Sequence, residues 1–302
     1  MRLCAIDVGT NTVVSVVADL APDGAITVLS DETRFARLGQ GVDGSGRLAP
    51  EAMDRVLDRL AAAKATADGL GAEQIVIGAT SASRDASNAD VLVRRVRDEL
   101  GLDYRILSGV EEAALSFRGA LAMLPGVAAA TVVDIGGGST EIVTGKAGEG
   151  PAFRTSLNVG SVRLSERHFV TRPPPPEASD AAERDVAEAL RAVPVGTTDG
   201  LPLLVTGSVA RIFARLSETP GDPPRVPHAS VAEWRQELLA RTPAETLALA
   251  PDLLAGREDV LGAAVLILDT AMRTLRAEAY VATPGGLRYG LALEAAEAVR
   301  AG

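Results

Sequence analysis

Cysteine, histidine and lysine are nearly missing from this chain of 302 residues. Its one cysteine, Cys4, excludes an intrachain disulfide and a thiolate cage around a metal, and suits a reducing compartment such as the cytoplasm. The two histidines, His168 and His228, lie outside every glycine-rich or acidic motif. That removes a Ser-His-Asp hydrolase and a histidine-held metal from consideration and leaves both as surface or packing residues. Lys64 and Lys146 are the only lysines, so nearly all positive charge is arginine, and the formal net charge is −10. This balance argues against broad, sequence-independent binding to nucleic acid or to an anionic membrane, and any anion site has to be local. No apolar run reaches the length of a membrane span, and the opening MRLCAIDVG lacks the cationic region and cleavage site of a signal peptide. With 47% hydrophobic and 23% charged residues, the composition is that of a soluble globular protein long enough for two domains.

What the chain does have is a repeated turn. CAIDVGTNTVVSVVAD places Asp7 and the small residues Gly9, Thr10, Asn11 and Thr12 between two apolar strands, which by itself is ordinary hairpin chemistry. About a domain's length later, TVVDIGGGSTEIVTG repeats the pattern with Asp134, Gly136, Gly137, Gly138, Ser139 and Thr140. A duplicated Asp-x-Gly hairpin suggests two related domains, each offering backbone N–H groups and hydroxyls to one shared anion. Glycine suits that task because no Cβ blocks the approach of a phosphate oxygen.

Between the hairpins, residues 3–8, 13–20 and 25–38 read as strands and lead into a glycine-rich loop. APEAMDRVLDRLAAAKATADGLG is a helix closed by Gly69 or Gly71. QIVIGA and YRILS are short strands, and SNADVLVRRVRDELG and GVEEAALSFRGALAMLPG are helices. The order βββαβαβα restarts after residue 130, with a third strand near 152–157, a helix at 160–169, and buried strands in LPLLVTGS and AEAYVATPGG. TRPPPPEAS forms a stiff link to the helix DAAERDVAEALRAV, and proline-rich turns between 218 and 256 surround a helix near Trp234. Strands alternating with helices predict two α/β units with mostly parallel sheets and a cleft between them.

The carboxylates at the start of GVEEAALS can be separated by position. Ser108 and Glu111 have the spacing of a capping box, which gives Glu111 a structural task, while Glu112 lies about 100° further round the helix. Arg84 in SASRDA stands between a strand end and a helix start, where it can either hold two phosphate oxygens or pair with Asp85 or Asp90.

Six segments in order (AIDVGTNT, ATSASRDASN, ILSGVEEAALSFRGA, VVDIGGGSTEIV, LNVGSVRLSERHF and TPGGLRYGLALE) are spread along essentially the whole chain. In them the sequence resembles the exopolyphosphatase and guanosine pentaphosphate phosphatase family, within the wider group of actin, sugar-kinase and heat-shock ATPase folds. The resemblance implies two actin-like, ribonuclease H-like domains, 1–126 and 127–302, facing an interdomain cleft. It implies hydrolysis of a phosphoanhydride, with inorganic polyphosphate or guanosine pentaphosphate as substrate, and a homodimer. Glu112 matches the position of the catalytic base, where an apolar setting and nearby phosphate are expected to raise its pKa. Asp134 and Glu141 match an acidic pair that holds Mg2+, directly or through water, with Asp7 as a further metal or water-positioning carboxylate. A late turn, VTGSVAR, offers Gly207 and Ser208 where the family often has a longer Gly/Thr run. A sensor that binds without hydrolysing is the alternative of another class; Glu112, Asp134 and Glu141 together argue against it. The chain ends after the second domain, and its arginines look scattered over helices, so the expectation is distributive cleavage of short chains.

Overall fold

The computed structural model describes residues 1–301 except 23, 195, 197 and 199. They form two compact units: Met1–Pro125 joined by the segment from Gly285 onward, and Gly126–Pro284. In the first unit, β1 (Arg2–Val8) pairs antiparallel with β2 (Thr12–Leu20), which pairs antiparallel with β3 (Ile26–Phe35). After α1 (Val42–Ser45) and α2 (Pro50–Gly69), β4 (Gln74–Ala79) joins β1 in parallel. Then come α3 (Ser81–Asp85), α4 (Ala89–Leu100), β5 (Arg105–Ile106), parallel to β4, and α5 (Gly109–Ala122). The sheet order is β3-β2-β1-β4-β5.

β1 is central and covered on both faces, which is why Leu3, Cys4, Ala5 and Ile6 form an unbroken apolar run, all fully buried. Burial pushes the Cys4 thiol up to about 12, with Asp68 and Glu32 adding to it, so it is no nucleophile at neutral pH. β3 is shorter than the 25–38 expected. It stops at Phe35 because the N–H groups of Ala36 and Arg37 turn to the Asn11 carbonyl and Arg37 takes a left-handed φ of 48°.

The second unit repeats the plan. β6 (Ala129–Ile135), β7 (Thr140–Lys146) and β8 (Pro151–Leu157) form the antiparallel part. α6 (Ser161–His168) and α7 (Pro176–Leu190) follow, then β9 (Leu203–Thr206), parallel to β6, and α8 (Gly207–Leu216). The region expected to hold proline-rich turns and one helix holds β10 (Arg225–Pro227), α9 (His228–Leu239, with Trp234), α10 (Pro243–Leu249) and α11 (Pro251–Leu254). Pro243 and Pro251 start helices there, in the first-turn position where a missing N–H does no harm. α12 (Leu261–Thr274) and β11 (Ala279–Ala282) complete the sheet order β10-β11-β9-β6-β7-β8. α12 is buried almost all round, so it carries no one-sided stripe to mark it in the sequence. Its Asp269 is tied to His228 at 2.8 Å and to Arg235 at 2.6 Å, so His228 fastens α9 to α12 rather than serving chemistry.

Both sheets share one order, in which the first three strands run 3-2-1 and two later strands follow, with β10 added at one edge of the second. The last helix, α13 (Leu287–Ala301), is the correction to the expected division at 127–302, because it packs in the first unit. The reason is steric fit with α5. A Cβ on Gly119 would lie 2.0 Å from the Gly286 carbonyl oxygen, and one on Gly290 would lie 2.0 Å from that of Leu115. Only glycine lets the two backbones touch there, and Leu287, Tyr289, Leu291 and Ala292 then fill a core with Leu3, Ala5 and Val16. Arg105–Glu294 and Arg118–Glu297 pairs fasten the rim. No helix among the described residues is long and apolar enough to cross a membrane.

Candidate active site

The two glycine turns have the same internal bond: Gly9 N–H donates to the Thr12 carbonyl at 2.9 Å, and Gly136 N–H to that of Ser139 at 2.9 Å. Each turn is also held through its carbonyls. In the first unit the Thr10 carbonyl accepts from Gly39 N–H (2.8 Å), and Asn11 from Ala36 (3.1 Å) and Arg37 (2.9 Å). A Cβ on Gly39 would fall 2.1 Å from Thr10 Cγ2, so this approach requires glycine. In the second unit the carbonyl of Gly136 accepts from Ser161 N–H (2.9 Å), and that of Gly137 from Val162 (2.8 Å) and Arg163 (3.1 Å). Arg163 Nε donates to the Gly138 carbonyl at 2.7 Å. A trans peptide points its N–H away from its C=O. Carbonyls held on one side therefore leave the following amides on the other, as an anion-binding turn needs.

Gly160, which the sequence reading passed over, makes the second arrangement possible. A Cβ there would sit 2.5 Å from the backbone of Gly137 and Gly138. The available signal was a glycine before a helix, where a side-chain cap is usual. Gly160→Ala should therefore lower kcat/KM at least about tenfold by displacing the loop, with the thermal transition retained. Activity within twofold of the parent would overturn this use of Gly160.

The two strand-end aspartates differ. Asp7 lies opposite Val14 on β2 and Gly78 on β4. Asp134 lies opposite Glu141 on β7 and Thr206 on β9, so of the two strand-end aspartates it is Asp134 that meets a second carboxylate across a strand pair. Glu141 is 1% exposed, and Ser156, its partner in β8, donates to Oε1 at 2.6 Å. Thr140 Oγ1 donates to the Val159 carbonyl at 2.7 Å, so that hydroxyl supports the loop. Gly207 and Ser208 open α8 beside Asp134; Gly207 has φ 83°, and a Cβ on it would lie 3.4 Å from Asp134 Oδ1. Among the described residues no group of three or more Asp, Glu, His or Cys gathers in a way that could hold a metal.

Glu111 and Glu112 separate as their positions predict. Glu111 closes the capping box: its N–H donates to Ser108 Oγ, and Ser108 N–H donates to its Oε2 at 2.9 Å. The bonds from Ser108, then the Arg105 guanidinium, hold its carboxyl down at about 2, too low to accept a proton usefully. Glu112 is 7% exposed, and Arg84 Nη1 donates to its Oε2 at 2.9 Å and to the Leu107 carbonyl at 3.0 Å. Arg84, in the last turn of α3, thus pairs with a residue outside the alternatives Asp85 and Asp90; Asp90 pairs with Arg94 instead. The pair offsets the penalty of burying either charge and fixes the direction of the Glu112 carboxylate.

Residues 13–298 match the Ppx/GppA phosphatase family. The chain belongs to that family. Among Ppx/GppA relatives, Exopolyphosphatase 2 of Mycobacterium tuberculosis is 38% identical, covering 92% of both chains. Exopolyphosphatase 1 of Mycobacterium bovis is 33% identical, over 97% of this chain and 88% of its own. A crystal structure of an exopolyphosphatase from Cytophaga hutchinsonii superposes with a TM-score of 0.88 at 25% identity, covering 99% of this chain and 98% of that one.

Proposed function

We propose that this Ppx/GppA protein is an exopolyphosphatase, a phosphoanhydride hydrolase that releases orthophosphate from the ends of inorganic polyphosphate. The observation that carries the reading is the buried Glu112 carboxylate, aimed by Arg84 at the start of α5 and distinct from its capping neighbour. The names of the relatives support the substrate. In this reading Glu112 takes a proton from the attacking water. The amides of the glycine turns, with Ser139, Gly207 and Ser208, hold phosphate oxygens.

The donor set in the second unit fits magnesium. Asp134 and Glu141 are adjacent oxygen donors, one of them buried, and magnesium commonly takes one or two carboxylates and completes its shell with water and phosphate. When bound there, it would supply positive charge against the phosphate oxygens. We place the protein in the cytoplasm, consistent with its one buried cysteine, and infer a homodimer from the family resemblance.

Phosphate release with magnesium from short polyphosphate, long polyphosphate, guanosine pentaphosphate and ATP tests the assignment. Polyphosphate should be preferred; faster turnover of guanosine pentaphosphate, or no hydrolysis, would overturn it. Cleavage should also be distributive. The net charge is −10, and Arg94, Arg95, Arg105, Arg118, Arg241 and Arg273 are each paired with carboxylates, which weakens the pull of these positions on a long polyanion. A gel of a long-chain digest should show a ladder of intermediates. Loss of full-length polymer without a ladder would refute this point while leaving the enzyme class intact.

A further inference from the structure

Five hydrogen bonds fix the carbonyls of Gly136, Gly137 and Gly138 from behind, and every donor belongs to the first turn of α6. Three come from the backbone N–H groups of Ser161, Val162 and Arg163, and Ser161 Oγ adds a longer bond of 3.3 Å to Gly136. The fifth comes from the Arg163 side chain and is the bond that holds the Gly138–Ser139 peptide. Glycines have no side chains to fix their peptide planes, so the direction of each amide here depends on what holds its carbonyl. Among the described residues the N–H groups of Gly137, Gly138 and Ser139 donate to nothing else.

We propose that Arg163 is a positioning residue of the reaction: by holding the Gly138 carbonyl, its Nε turns the Ser139 amide toward the phosphate being gripped. The inference rests on the reading of this loop as a phosphate grip. The bond is charge-assisted and short, and so stronger than a neutral one. Backbone donors hold the other two peptides, so loss of the side chain releases one amide out of three. Gly160 supports the assignment, because its missing Cβ is what lets the start of α6 reach the loop.

Arg163→Met and Arg163→Lys decide it, by kinetics on short polyphosphate and by amide NMR during titration with orthophosphate. The methionine keeps the apolar stem without a donor; the lysine keeps a donor. Arg163→Met should raise KM about tenfold with kcat within about threefold, because an equal loss of grip in ground and transition states appears in KM. In that variant the Ser139 amide should lose its orthophosphate-induced shift while Gly137 and Gly138 keep theirs, and Arg163→Lys should recover part of both effects. An unchanged KM with an intact Ser139 shift in Arg163→Met, or a fall in kcat alone, would refute the positioning role. If Arg163→Met fails to fold, the lysine variant and the parent protein still decide. Silence at all three amides in the parent protein would overturn the phosphate-grip reading and this inference with it, whereas a parent response with no effect of Arg163→Met overturns the inference only.

Discussion

Glu112→Gln should lower kcat by about two to four orders of magnitude while KM changes little, because the amide keeps the shape of the carboxylate and cannot accept the proton. The neighbouring residue provides the control. Glu111 is exposed and committed to Ser108 and Arg105, with its carboxyl held at about 2, so Glu111→Gln should weaken the start of α5 and leave turnover nearly intact. The amide oxygen introduced by Glu112→Gln can still accept from Arg84, which keeps the variant folded and makes a thermal melt the check on structure. Equal losses in the two variants, or full activity in Glu112→Gln, would remove Glu112 from the role of base.

Chelation should abolish hydrolysis and magnesium should restore it, with the two carboxylates of β6 and β7 expected to set how much magnesium is required. Each of Asp134→Asn and Glu141→Gln removes one anionic oxygen from a hard cation, so each should raise the magnesium needed for half-maximal rate on the order of 10- to 100-fold. The amide oxygen introduced by Glu141→Gln can keep the Ser156 bond, so the change isolates charge from position. Calorimetric titration with magnesium should show the same weakening without turnover. Rates that ignore chelation, or two variants with the parent's magnesium dependence, would exclude these residues as the metal site.

Much of this was legible along the chain because it depends on residues a few positions apart. The Asp-x-Gly hairpins, the Ser108–Glu111 cap and the buried run of β1 are local patterns: a turn needs its glycine, a cap its third residue, a central strand its apolar side chains. The spacing of Asp134 and Glu141 across a tight turn likewise places them opposite each other once the hairpin forms. Their repetition was enough to determine two similar α/β units.

Tertiary structure decided what depends on partners far away in the sequence. The return of α13 to the first unit follows from backbone contact at Gly119 and Gly290, and an isolated glycine in a helix does not say which helix it will meet. α12 went unmarked because burial on all sides erases the periodicity that one-sided burial would create. At the site, Arg84 had acidic neighbours in its own segment, yet the fold brings it to Glu112, 28 residues on. The same holds for Arg163, whose bond to the Gly138 carbonyl spans 25 residues. Sequence by itself determined which residue types stand in the glycine turns and the acidic pair; only the fold decided which of them are braced and by what, because the bracing groups are separated along the chain and come together only when the cores close.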